Sequence, residues 1–357
     1  MRIVITGNMG YVGPVVTRHL RHRFPDAELI GFDAGYFAHC LTTTGLLPEA
    51  PLSQQHFGDV RDLPAELLRG ADAVVHLAAI SNDPMGKRFE AATDSINRGA
   101  SLRLARLASD AGVRNFVFAS SCSVYGFAEK ARTEDDPVNP QTVYARSKIE
   151  AEQGLASFAN GRMIVTSLRF ATACGMSHRL RLDLVLNDFV ACAVTAGEIT
   201  VLSDGTPWRP LIDVADMARA IEWAATRDSA RGGTVLTVNA GSDRWNFRVC
   251  DLAEACARAF DGARVSINKD APPDRRSYAV DFRRFRELAP EHQPLVELDE
   301  CIRRLGAGLR AMRFDTDNFR DSNYIRLRVL AGLLTSGALT ADLRTPDLAS
   351  NTNRRNA

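Results

Sequence analysis

The run Thr6-Gly7-Asn8-Met9-Gly10-Tyr11-Val12-Gly13 constrains the fold more than any other stretch of this chain. It follows the apolar segment Arg2–Thr6 and opens into Tyr11–Arg23, where Val12, Val16 and Leu20 recur at helical spacing. A buried strand that enters a helix through a glycine-rich turn belongs to a parallel sheet covered by helices. Each glycine has its own task there. One makes the tight turn, one lets a pyrophosphate approach the backbone, and one lets helix and sheet pack closely. The helix N-terminus then faces the anion.

The segments that follow fit this reading. Leu29–Asp33, Ala73–Ala78, Asn115–Ser120 and Met163–Leu168 are continuous apolar runs, as expected of strands buried on both faces. Ser95–Ala111 and Thr142–Phe158 read as helices between them. Asp33 stands 20 residues beyond Gly13, at the end of the second strand, where a carboxylate accepts hydrogen bonds from ribose hydroxyls. A 2′-phosphate would meet its negative charge uncompensated, which favours NAD over NADP. After about residue 172 the pattern loosens. Asp183–Ala196, Asp213–Ala225 and Val249–Phe260 read as helices and Thr234–Val238 as one more strand. Asn323–Ala341 carries Ile325, Val329, Leu333 and Leu334 at helical spacing, which predicts a helix packed on this protein or a neighbouring subunit.

Tyr144 and Lys148 lie four residues apart at the start of a helix and so share a face. A phenol titrates near ~10, too high for a base at neutral pH. An ammonium about 4 Å away contributes ~4 kcal/mol at an effective dielectric of about 20, roughly three pK units. The spacing therefore predicts a tyrosine able to take a hydroxyl proton while hydride leaves the same carbon. Ser120, Ser121 and Ser123 end the preceding strand, at the sheet edge where ligands bind. A GxSxG elbow is absent, so a serine nucleophile is a poor reading.

Other classes find little support. Formal net charge is +1 with both signs interspersed, so nothing resembles a nucleic-acid-binding stripe. No apolar run approaches the ~18 residues of a membrane span. The seven cysteines are scattered with no CxxC pair, which fits a reducing cytoplasm. His19 and His22, flanked by arginines with no cysteine or carboxylate nearby in the chain, predict a solvated face and no metal site.

Taken in order, TGNMGYVG, Asp33, Gly58-Asp59-Val60, His76-Leu77-Ala78-Ala79, Asn97, SSCSVYG, YARSK, Leu168-Arg169-Phe170 and the run Arg209–Asp216 resemble the extended short-chain dehydrogenase/reductase family. The likeness is strongest to its nucleotide-sugar epimerases and dehydratases and spans roughly residues 1–285. It implies a Rossmann-type doubly wound parallel sheet, formed by residues 1–172 and 212–240. A smaller, discontinuous α/β substrate lobe would take residues 173–211 and 241–341, and 342–357 would be a loose tail. It also implies a homodimer through helices like those at 98–111 and 142–158.

Carried onto this chain, the resemblance has Gly7, Gly10, Gly13 and Asp33 hold NAD, together with Asn8, Met9, Tyr11 and Val12 of the turn. Asp59 and Val60 would flank adenine, and Leu77, Ala78 and Ala79 the ribose and pyrophosphate. Asn97, Ser120 and Phe170 would join the cofactor contacts, and Lys148 would bind the nicotinamide ribose. Tyr144 would be the acid/base and Ser121 would bond the reacting oxygen. Ser81, Ser123 and Thr172 would meet the sugar, while Asn187, Arg209 and Arg275 would grip a diphosphate, for which arginine is chemically suited. The family's 4,6-dehydratases carry an Asp-Glu pair where this chain has Cys122-Ser123. Cys122 is read as a packed thiol ahead of an acid/base. The leading expectation is an NAD-dependent nucleotide-sugar epimerase acting at C4. The alternatives are a net dehydrogenase or ketoreductase and a silent NAD-binding regulator, the last disfavoured because Tyr144 and Lys148 are both present.

Overall fold

The computed structural model describes residues 1–159, 161–271, 277–314 and 318–346. Six strands come first: β1 (Arg2–Thr6), β2 (Glu28–Asp33), β3 (Gln54–Phe57), β4 (Ala73–His76), β5 (Asn115–Ser121) and β6 (Ile164–Phe170). Six more follow: β7 (Thr172–Cys174), β8 (Glu198–Val201), β9 (Trp208–Asp213), β10 (Val235–Ala240), β11 (Asn246–Arg248) and β12 (Arg264–Ile267). The first half of the chain also contributes α1 (Gly13–Arg23), α2 (Asp83–Arg88), α3 (Glu90–Asp94), α4 (Ser101–Asp110) and α5 (Val143–Leu155). The second contributes α6 (Val185–Thr195), α7 (Val214–Thr226), α8 (Val249–Ala259), α9 (Arg283–Leu288), α10 (Leu298–Ala311) and α11 (Arg326–Thr335).

Seven strands form one sheet in the order β3-β2-β1-β4-β5-β6-β10, and every pairing is parallel. The apolar runs explain it. Ile3, Val4 and Ile5 of β1 and Val74 and Val75 of β4 have no exposed surface, as strands covered on both faces require. The order reverses at β1, which sends its helix to β2 on one side and has β4 on the other. A crevice opens there at the carboxyl ends of the strands, the place where open α/β sheets bind ligands. Thr6 sits opposite Phe32 on β2 and His76 on β4, so the glycine turn, Asp33 and the β4 loop all reach this edge.

Two small sheets lie beyond it, β11-β9-β7 and β12-β8. These strands are short and β3 (Gln-Gln-His-Phe) is polar, so the sequence pattern does not announce them as strands. Leu186, Val190, Leu252, Ile302 and Leu305 of α6, α8 and α10 are fully buried together. α11 lies elsewhere. Its Leu330 joins Val60, Ile80, Met85 and Ile96 in a separate core. Leu343 is also fully buried there, so the beginning of the stretch read as a loose tail is docked, while residues 347–357 fall outside the described part. A lone leucine among polar residues has no periodicity to announce it. His19 also departs from the solvated reading, since its Nε2 lies 2.6 Å from Glu222 of α7. Among the described residues no group of three or more His, Cys, Asp or Glu could hold a metal ion, and no helix is long and apolar enough to cross a membrane.

Candidate active site

The glycine turn is built as its spacing demands. Gly7 adopts φ +75°, and a Cβ there would sit 2.4 Å from the backbone nitrogen of Ala78. A Cβ on Gly13 would come within 2.1 Å of the Asn8 carbonyl oxygen, so the start of α1 packs directly on the turn. Gly10 differs, because a Cβ there meets only the Gly7 carbonyl at 3.2 Å and otherwise opens into the cleft. Asp33 accepts from the backbone N–H groups of Met9 (3.0 Å) and Gly35 (2.7 Å), which aims its carboxylate at the crevice. Burial pushes its pKa up, and those two bonds oppose the rise.

The cleft has a volume of about 650 Å³. Gly7, Gly10, Tyr11, Val12, Asp33, Asp59 and Val60 line it, followed by Leu77, Ala78, Ala79 and Ser81. Ser120, Ser121, Ser123, Tyr144, Lys148, Phe170, Thr172 and Arg209 line it as well. A bare backbone at Gly7 and Gly10, a helix start and an inward carboxylate suit a dinucleotide.

Other expected contacts sit behind the wall. The Asn8 amide donates to Gln55 at 2.6 Å, and Met9 acts through its backbone. Asn97 bonds both backbone groups of Ile80 (2.8 and 3.0 Å) and donates to Ser147 at 3.0 Å, tying the β4 loop to α5. Asn187 is fully buried, accepts from the Gly175 N–H and donates to the Tyr11 hydroxyl at 3.0 Å, so it fixes Tyr11. Cys122 is also fully buried, with its thiol donating to the Arg169 carbonyl at 3.0 Å and its pKa driven up by burial. Arg275 lies outside the described residues.

Thr142 caps α5 by accepting from the Ala145 N–H at 3.1 Å, and its hydroxyl donates to Asp83 at 2.7 Å. This sets the first turn of the helix, and Tyr144 lines the cleft together with Ser121. Burial pushes Tyr144 up to about 12; the nearby Ser121 hydroxyl opposes this, Asp83 adds to it and Arg181 lowers it. Lys148 also has a partner that its spacing did not announce. Its Nζ donates to the Ala119 carbonyl at 2.6 Å and lies 5.7 Å from the centre of the Tyr144 ring. Burial brings the lysine itself down to about 7.

The floor below holds contacts the sequence did not announce. Arg169 grips Glu152 through three bonds of 2.7 to 3.1 Å and donates to the Tyr125 hydroxyl at 3.0 Å. Ser120 donates to the same Glu152. His76 is wedged between Thr6 and Ser101 at 2.6 and 2.8 Å. Ser101 spends its proton on the Asn97 carbonyl, so Nε2 of His76 carries the hydrogen and Nδ1 accepts from Thr6. Burial lowers this imidazole to about 3 and keeps it neutral. Across the cleft Arg181 makes two 2.9 Å bonds to Asp183 and a 3.0 Å bond to Ser81. Only an Arg-x-Asp spacing in an irregular stretch could have signalled that pair.

A glycine turn at the switch point, an inward carboxylate and a half-buried tyrosine and serine at one cleft mark a Rossmann-fold enzyme that works with a dinucleotide. The chain belongs to the NAD dependent epimerase/dehydratase family, whose sequence profile matches residues 3–241, and is of the extended short-chain dehydrogenase/reductase type. NAD is its cofactor. It is 28% identical to a dTDP-glucose 4,6-dehydratase of Streptomyces griseus over 307 residues, 84% of this chain and 91% of that protein. It is 29% identical to a UDP-glucose 4-epimerase of Lactobacillus helveticus over 241 residues, 62% of this chain and 70% of that one. Among solved structures, MoeE5 in complex with UDP-glucose and NAD superposes with a TM-score of 0.73 at 26% identity, covering 87% of this chain and 99% of that chain.

Proposed function

We propose that this protein is an epimerase of a nucleotide-linked sugar, acting at C4 through a transient 4-keto sugar with Tyr144 as the acid/base. The observation that carries the reading is that Ser121 and Tyr144 line the same cleft, while Cys122 is fully buried and bonded to the Arg169 carbonyl. Dehydration needs a proton donor and acceptor at neighbouring carbons, and the two positions after Ser121 offer a buried thiol and a serine. Reversible oxidation needs one acid/base and a partner that orients the oxygen.

Bound NAD supplies the reversible two-electron acceptor. Ser121 orients the sugar hydroxyl, and Tyr144 takes its proton as the carbon is oxidised. After the keto sugar has turned over, Tyr144 returns the proton and the opposite configuration results. Lys148 positions the cofactor ribose, and Arg209 meets the substrate diphosphate. The chain acts as a cytoplasmic homodimer through α4 and α5, a point that light scattering of the purified protein tests.

The function is tested by NMR of UDP-, GDP-, CDP-, dTDP- and ADP-sugars incubated with enzyme and NAD. An isomer of one of them is the expected product. A dehydrated keto-sugar would assign the dehydratase activity named among the relatives. Stoichiometric NADH with a ketone would assign a dehydrogenase.

A further inference from the structure

The segment after residue 318 is tied to the walls of the crevice at several points. Tyr324 donates to the Leu41 carbonyl at 2.9 Å, and the Tyr324 carbonyl accepts from the Leu182 N–H at 3.0 Å. Farther on, the Leu343 carbonyl accepts from the Tyr36 hydroxyl and from Arg61. Between these ties stands Arg326, 1% exposed and lining the cleft. Its guanidinium lies 4.5 Å from the centre of the Phe37 ring, four residues past Asp33. It donates to the carbonyls of Arg179 (2.7 Å) and Asn323 (3.4 Å).

Neighbouring arginines are matched. Arg179 pairs with Glu49 at 2.5 Å and Arg181 with Asp183 at 2.9 Å. Among the described residues Arg326 makes no ion pair with a carboxylate. The carboxylate that acts on it, Asp183, is already paired with Arg181, and burial lowers the Arg326 guanidinium to about 10. Arginine set over an aromatic ring with unspent N–H groups is suited to a phosphate.

We infer that Arg326 is a cofactor-binding residue, its guanidinium pairing with the pyrophosphate of NAD in the crevice and so holding the dinucleotide in place. The residue lies beyond the span matched to the family, 3–241, and the inference rests on the NAD site alone, not on the epimerase reading. Arg326→Gln keeps a donor for the Arg179 carbonyl and removes the charge.

The full chain carrying R326Q should bind NAD and ADP-ribose about ten- to a hundredfold more weakly than wild type, with adenosine unchanged. Equal weakening for adenosine would reduce Arg326 to a packing role, and native affinity for all three would remove it from the site; either overturns the proposal. So does a variant that affects only a UDP-sugar added to NAD-loaded protein, because the guanidinium would then serve the other diphosphate. Should R326Q not fold, judged by melting without cofactor, wild-type protein supplies the test. Hydrogen exchange across 326–335 should slow at least tenfold with saturating NAD and not with adenosine. Equal exchange in both conditions refutes the assignment.

Discussion

The Lys148 ammonium lies 5.7 Å from the centre of the Tyr144 ring and gives its hydrogen bond to the Ala119 carbonyl at 2.6 Å. The phenol lines the cleft beside Ser121. Lysine and tyrosine thus share a helix face, the lysine fixed to the sheet by its hydrogen bond and the tyrosine turned to the cleft. Tyr144→Phe should lower turnover about 10³-fold and leave the NAD dissociation constant within about threefold. Isotherms and initial rates on the same preparation check this, and a variant that stays active removes Tyr144 from the chemistry.

The same pair has a pH signature. Burial raises Tyr144 to about 12, so its proton is retained well above the ordinary phenol range. The positive ring of oxidised NAD should pull that titration down. Tyrosinate absorbance in wild type minus Y144F is expected near pH 12 without cofactor and at lower pH with it. Identical curves with and without NAD would contradict this electrostatic account.

Gly10 and Gly13 should separate binding from folding. An alanine at 13 would drive its Cβ to 2.1 Å from the Asn8 carbonyl, so G13A should lose about 3 kcal/mol or fail to fold. Alanine at 10 meets nothing closer than 3.2 Å, so G10A should melt within a few degrees of wild type. Its methyl would nonetheless stand where the pyrophosphate approaches, and NAD affinity should fall at least about tenfold. Melting curves and NAD titrations of both variants decide.

Glu222 fastens α7 to α1. His19 lies 2.6 Å and Arg23 2.8 Å from its carboxylate, and against the cost of burial these partners hold it down at about 2. An unfolded glutamate titrates near ~4.3. The folded carboxyl is the stronger acid, so its contribution is complete above pH ~4.3 and drains away as pH falls towards 2. Glu222→Gln should cost about 2 kcal/mol at neutral pH and flatten the loss of stability in that acid window. Urea unfolding at several pH values measures both.

Cys122 is predicted to be silent in catalysis. Its thiol is fully buried and bonded to the Arg169 carbonyl, so C122A should keep kcat within about threefold and lose about 1 kcal/mol of stability. A collapse of turnover at unchanged melting temperature would instead make the thiol part of the reaction.

Much of this site was legible because its parts are local. Gly7, Gly10 and Gly13 belong to one turn, Asp33 ends the next strand, and Tyr144 and Lys148 lie one helical turn apart. What escaped notice is made of residues far apart in the chain. Arg169 and Glu152, His76 and Ser101, and Arg326 and Phe37 meet only because strands and helices stack them. Asn97 and Asn187 were expected at the ligands and lie one layer behind, bonding Ile80 and Tyr11.

By itself the sequence determined the alternation of strand and helix, the glycine turn, the carboxylate for ribose and the helical pairing of Tyr144 with Lys148. Hydrophobic period and backbone sterics act over a few residues, so they can be read from order alone. Only the tertiary structure decided that Cys122 is walled off, that Lys148 bonds the sheet, and that Arg326 reaches the crevice from the far end of the chain. Burial and charge pairing depend on what every other segment brings to the same place, and the packed chain alone sets that.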